Sequence, residues 1–289
     1  MVILSYFLKR HCWLALLLLV LVCWLLLPTP TLASGPQRAC AQGLVQQNNP
    51  LLHHASFKQE FKPRQKIPKW NLHITYIGHS TFLIETPQGV SAATDYNGVH
   101  VPPYVPDFVT MNNLHDTHYT DRLDSKIKYV LRGWDPLFGM ARNNIRYKDM
   151  HVYSIPTNIN DFNGKKSNEN SIFVFGAAGL CLAHVGHLHH ILTKRQKFRL
   201  ENVDVLFLPI GGFSTVSHDE ALKIISQITP KIIIPMHYHY PGSKERFAKL
   251  MEPRSQVKWI ENSTIRLSKK TLPKHTEVHY LKPLDPGYY

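Results

Sequence analysis

From Trp70 onward the chain alternates between short apolar runs and breaks marked by Gly, Pro or polar residues. Leu72-His73-Ile74-Thr75-Tyr76-Ile77 has a period of two and stops at Gly78, which predicts a strand. Residues 81–86 and 90–94 repeat the pattern on either side of a Pro87-Gln88-Gly89 turn. A loop with Pro102, Pro103 and Pro106 leads to a strand with Phe108, Val109 and Met111. Residues 126–131 and 151–156 read the same way. Residues 157–170, rich in Asn and Lys, show no apolar period and read as a polar loop. Residues 172–175 and 180–185 follow as buried strands. Successive hairpin-length strands of this kind predict an antiparallel meander.

The rhythm then lengthens. Residues 192–200 fit a short helix, and 203–210 form a near-continuous apolar run, as in a strand covered on both faces. His218–Ile228 reads as a helix: Ser217 is its cap, Asp219 and Glu220 fill its first turn, and Ala221, Leu222, Ile224, Ile225 and Ile228 form its stripe. A strand over 231–236 runs into His237-Tyr238-His239. A helix over 244–251 and strands near Val257 and Thr264 complete the pattern. The layout is one α/β domain over 70–289, with sheets inside and helices outside. The preceding residues, 34–69, contain Gln42, Gln46, Gln47, Asn48, Asn49 and Pro50 without a period, and read as a polar arm.

Lys9, Arg10 and His11 precede an apolar run over 13–27; Pro28 and Pro30 end it, and Thr31-Leu32-Ala33 offers small residues for cleavage. The run is shorter than the roughly 20 residues of a membrane span. A signal peptide over 1–33, and hence a periplasmic or secreted chain, is the expectation; an uncleaved anchor is the alternative, and the only route to a membrane. Cys12 and Cys23 would leave with the signal. Cys40 and Cys181 would remain, with a disulfide between them left open. The basic excess, 33 − 20 = +13, is scattered rather than clustered. It mildly favours an anionic small-molecule substrate, and the export signal argues against nucleic acid.

Candidate chemistry lies in the histidines, 18 of the 289 residues. The strand before residue 112 breaks into a run with Asn113, His115, Asp116 and His118. His79 follows a second strand end, His184, His187, His189 and His190 a third, and His237 and His239 a fourth. Ligands of α/β sheets collect beyond the carboxyl ends of strands, and imidazoles delivered there suit a metal. Core histidines bonded to backbone account for one or two of them. Asp95, at the end of another strand, either caps a loop or supports a site.

Ile77-Gly78-His79-Ser80-Thr81-Phe82-Leu83-Ile84, Ala93-Thr94-Asp95, Leu182-Ala183-His184-Val185-Gly186, Leu208-Pro209-Ile210-Gly211-Gly212-Phe213 and Ile234-Pro235-Met236-His237-Tyr238 resemble the metallo-β-lactamase superfamily. The similarity is to its lactonase-like branch, related to N-acylphosphatidylethanolamine phospholipase D. The resemblance implies a four-layer αββα sandwich with a metal site at one edge. The family signature, His-x-His-x-Asp-His, falls on Asn113, His115, Thr117 and His118, so two ligands survive. Asn158, Ile159 and Asn160 occupy the region of the next histidine, and His187 stands where a bridging aspartate belongs. Loss of both carboxylates argues against two metals. The expectation is one ion, zinc, with manganese or iron as alternatives, held by three of His115, His118, His184, His187 and His237. His118, His187 and His237 are the leading trio. Asp95, Asn113 and His79 would stand behind the ligands, Asp95 orienting an imidazole and Asn113 bonding substrate or water. Asp116 or His190 would serve as acid or base. The implied function is an exported hydrolase using a metal-bound hydroxide on an ester, lactone or phosphodiester. The alternative is a degenerate relative that binds metal or ligand without turnover.

Overall fold

The computed structural model describes Cys40 and residues 66–284, apart from 136, 138, 162, 163, 213 and 239. The expected signal peptide, most of the expected arm and His239 lie outside the described residues. In chain order the strands are β1 (Leu72–Gly78), β2 (Thr81–Glu85), β3 (Ser91–Ala93), β4 (Phe108–Met111), β5 (Tyr129–Arg132), β6 (Asn144–Tyr147), β7 (Met150–Asp161), β8 (Gly164–Ala177), β9 (Leu180–His184), β10 (Val205–Pro209), β11 (Ile232–Met236), β12 (Gln256–Ile260), β13 (Thr264–Leu267) and β14 (Glu277–Leu281). The helices are α1 (Lys194–Arg199), α2 (His218–Ile228) and α3 (Ser243–Met251).

Two mixed sheets form, six strands in the order β13-β1-β2-β3-β4-β5 and eight in the order β12-β14-β11-β10-β9-β8-β7-β6. The core between them is built by alternate residues: Tyr76, Phe82, Ala92 and Phe108 from the first sheet meet Phe173, Phe175, Leu182 and Phe207 from the second. Phe82 and Phe207 are 4.5 Å apart at their ring centres, a contact across the two layers. The other face of the first sheet presents Ala93, Val109 and Met111, which pack on Tyr96 and Ile127 from the loops 94–107 and 112–128. The helices lie in the connections of the second sheet, α2 between β10 and β11 and α3 between β11 and β12. α2 begins as its sequence requires: the Ser217 hydroxyl accepts from Glu220 N–H, and the Glu220 carboxylate accepts from Ser217 N–H. The result is the expected α/β sandwich. Among the described residues, no helix is long and apolar enough to cross a membrane.

Three expectations change. The polar stretch 157–170 is not a loop; it extends the β7–β8 hairpin beyond the core, paired from Thr157↔Asn170 to Asp161↔Gly164. Its ladder of backbone hydrogen bonds needs no apolar face, so the sequence pattern is silent there. The meander is also incomplete, because β3, β4 and β5 run parallel, joined by the long loops 94–107 and 112–128. The third change is two strands absent from the sequence reading: β6, which pairs antiparallel with β7, and β14, which inserts between β11 and β12 and pairs parallel with both. Cys40 and Cys181, left open above, are disulfide-bonded at a Cα separation of 5.8 Å, which ties residue 40 to β9.

Candidate metal centre

The centre is built from corners where strands end. His79 turns β1 into β2, directly after a register shift between Tyr76 and Gly78. Asp95 closes β3 and His237 closes β11. All three have left-handed backbone, with φ of 51°, 43° and 54°. Such conformations are costly for residues with a Cβ and collect at functional sites. Here they are held by tertiary bonds: the His79 carbonyl accepts from Tyr76 Oη–H and from the His237 amide, and the Asp95 carbonyl accepts from Thr81 Oγ1–H. His118 comes from the loop after β4, which folds back so that the amides of His118 and Tyr119 both donate to the His115 carbonyl.

These corners bring His79, His118 and His237 together, one ring nitrogen from each lying within 4.8 Å of the others. The three are 3%, 0% and 2% exposed. Asp95 is fully buried behind them: Oδ2 accepts from His118 Nδ1–H at 2.7 Å and Oδ1 accepts from the Asn112 amide at 3.0 Å. With Nδ1–H given to a carboxylate, the lone pair of neutral His118 lies on Nε2, as in metal-ligating histidines. That Nε2 accepts from His187 Nδ1–H at 2.7 Å. The sequence reading named His187 as a ligand; here it stands outside the group of three, as a hydrogen-bond partner of His118. Burial, reinforced by His118, His237, His189 and His115, drives its basicity far down, so the imidazole is neutral.

The other expected site residues separate. His184 is not in the group. It is fully buried, Nε2–H donates to the Ser80 carbonyl at 2.8 Å, and its ring packs near Phe82 and Phe207. Burial lowers its pKa, against Asp95 and the Ser80 carbonyl. His115 is exposed, 5.6 Å from His187 and 6.0 Å from His118 between ring centres, with Nδ1 on Thr117 Oγ1. Burial and His118 lower its pKa, with Asp116 opposing. Asn113 points its amide to the Glu169 carbonyl, so it braces the hairpin. His190 accepts from the Asn158 amide and donates to the Ile191 carbonyl. Asp116 is exposed on the wall of a separate cavity of about 920 Å³ between the loops 94–107 and 112–128. That cavity shares the chain of Asp95 and His118, yet none of the clustered histidines lines it. The chemistry is assigned to the cluster, where the donor atoms converge.

Two supports had no signal in the sequence. Asn112 donates from its side chain to the carbonyls of Ser171 and His184, bridging the two sheets. Asn170 accepts from the His187 amide and donates to Thr157 Oγ1 and the Val185 carbonyl. The donor set fits a cation: three buried imidazoles, a carboxylate fixing one of them, and neighbours held neutral. Nitrogen donors suit zinc or iron better than manganese, which prefers oxygen.

Residues 73–237 match the family model described as Beta-lactamase superfamily domain. A UPF0173 metal-dependent hydrolase of Carboxydothermus hydrogenoformans is 26% identical over 192 residues, covering 57% of this chain and 84% of its own. A second UPF0173 metal-dependent hydrolase, from Pyrococcus furiosus, is 24% identical over 211 residues, covering 64% and 94%. Among solved structures, a metallo-β-lactamase superfamily protein of Thermotoga maritima, described as a Zn-dependent hydrolase, superposes with a TM-score of 0.55 at 25% identity, covering 73% of this chain and 98% of that one. Igni18, a metallo hydrolase of Ignicoccus hospitalis, shares the fold with a TM-score of 0.54 at 19% identity, covering 68% and 99%.

Proposed function

The chain belongs to the β-lactamase superfamily, and from that premise we propose that it is an exported hydrolase of an ester, lactone or phosphodiester, dependent on a single ion held by His79, His118 and His237. The observation that carries this reading is the buried convergence of those three imidazoles, with Asp95 behind His118. A divalent ion bound there supplies Lewis acidity toward a carbonyl or phosphoryl oxygen and toward water. Zinc is the ion proposed, on the nitrogen donor set.

The chain's own residues do the rest. Asp95 holds His118 in the tautomer that presents Nε2 inward. His187 is neutral and donates Nδ1–H to His118, so it steadies that ring without adding a charge beside the ligands. The two sheets exclude water from behind the cluster, where Asp95 and His184 are fully buried. Support for export comes from the Cys40–Cys181 disulfide, a bond that persists in oxidising compartments.

Protein purified without a histidine tag would be analysed for metal and assayed on generic phosphodiester, lactone and ester substrates. The expected result is about one zinc per chain and turnover that is lost in His118→Ala. Metal without turnover supports the second reading, a binding protein, which the placement of Asp95 behind His118 rather than among the ligands favours. Absence of metal removes the assignment.

A further inference from the structure

Buried ligands create a problem of access. His79, His118 and His237 are almost fully shielded, whereas a hydrated cation arrives from solvent. A workable metal site needs a path inward. Among the described residues, a line of imidazoles leads from the surface to the triad.

His187 is its centre. On the inner side its ring lies 4.7 Å from His118 and 5.1 Å from His237. On the outer side it lies 5.6 Å from His115, stacked, and 4.8 Å from His189. Exposure rises along the same line: His187 is 8% exposed, His189 is half-buried and His115 is exposed. His115 Nδ1 bonds Thr117 Oγ1 and accepts from the Thr117 amide, which fixes the orientation of the outer ring. The loop is fixed where the line needs to be fixed, because Asn170 takes the His187 amide.

We propose that His115, His187 and His189 form an outer relay that captures a divalent cation from solvent and passes it to the buried triad. The inference rests on the metal reading above. The transfer is ligand exchange: an imidazole nitrogen of the outer group bonds the ion as water leaves, and His118 or His237 displaces it inward. No bond other than metal–ligand bonds is made or broken. The His118–His187 pair suits the last step, since lengthening its nitrogen separation by about half an ångström converts a hydrogen-bonded pair into two nitrogens on one ion.

The test uses the full chain stripped with a chelator and mixed rapidly with cobalt(II), whose visible absorption reports its binding. His115→Ala and His189→Ala are expected to reach the wild-type end point of one ion several-fold more slowly. Release of the bound cobalt to excess chelator is expected to slow by the same factor, because a relay changes rates in both directions and leaves affinity alone. His190→Ala, in the same loop but bonded to Asn158 and Ile191, is expected to match wild type. Unchanged uptake in both outer variants overturns the relay. Faster release in either variant also overturns it, by showing that residue to be an equilibrium ligand. A wild-type chain that binds no cobalt overturns the metal reading itself. Circular dichroism of each variant confirms that the fold is intact before rates are compared.

Discussion

His118 is gripped at both ring nitrogens, each in a 2.7 Å hydrogen bond, one to Asp95 and one to His187. Its tautomer is thereby set. Asp95 can serve because both of its oxygens only accept, one from His118 and one from the Asn112 amide. In Asp95→Asn one of those positions becomes an NH2 group facing a donor. The relief is to turn the His118 tautomer, which places its proton on Nε2 where a cation needs the lone pair. Metal affinity in that variant is expected to fall by about 10–100-fold, measured by competition with a chromogenic chelator. Unchanged affinity would contradict this role for Asp95. At this scale the sequence was half legible. His118, His237 and Asp95 stood out as polar residues at strand ends. His79 was visible too, but its rank depended on the left-handed corner that aims it, and a backbone angle leaves no mark in residue type. His184 looked like a ligand by position, yet it turns to the Ser80 carbonyl, a choice made by packing against Phe82 and Phe207.

The elements succeed or fail at their ends. The loop after β9 carries His187 and turns at Gly186, whose φ is +59°. A Cβ there would lie 2.3 Å from the Asn112 Cβ and 2.5 Å from its amide nitrogen. Asn112 is the side chain that spans the sheets, so it has no freedom to withdraw. Gly186→Ala is expected to cost about 1–3 kcal/mol from backbone strain alone, with the clash added. Chemical denaturation measures it, and a variant as stable as wild type would show that the loop can relax. Strands with one buried face were readable from their period of two, and α2 from its cap, acidic first turn and stripe. The far half of the β7–β8 hairpin was not, because its pairing is made by backbone alone and its side chains have no core to face. β14 was missed because Glu277 and His279 interrupt its apolar residues, though both sit in a local pair, His279 Nε2–H donating to Glu277 at 2.8 Å.

For the molecule as a whole, the many buried histidines couple stability to acidity. His151, 5% exposed on β7, donates from Nε2–H to Asn144 on β6 at 2.7 Å. Burial, with Arg146 nearby, holds its pKa down at about 4, against an ordinary value of 6.5. As pH falls below 6.5 the unfolded chain takes up this proton first, while the folded chain resists until about 4. The stability is therefore complete above pH 6.5 and is lost across the window from 6.5 to 4, by up to about 3 kcal/mol. Burial acts in the same direction on His73, His184 and His279. Urea unfolding of metal-free protein at pH 7.5 and pH 4.5 is expected to show the loss. His151→Gln, which keeps a donor for Asn144 and cannot titrate, is expected to show less of it. An identical pH dependence in the variant would place the effect elsewhere.

The sandwich brings together residues that are far apart in sequence: His79 and His118 come from the first sheet and its loops, His237 from the second. Everything proposed about chemistry depends on those three sharing one cation. The direct measurement is a crystal structure of zinc-loaded protein, with diffraction recorded on both sides of the zinc absorption edge. The expected result is one anomalous peak among the ring nitrogens of His79, His118 and His237, with Asp95 still on His118. A peak on other residues, or none at the triad, would contradict it.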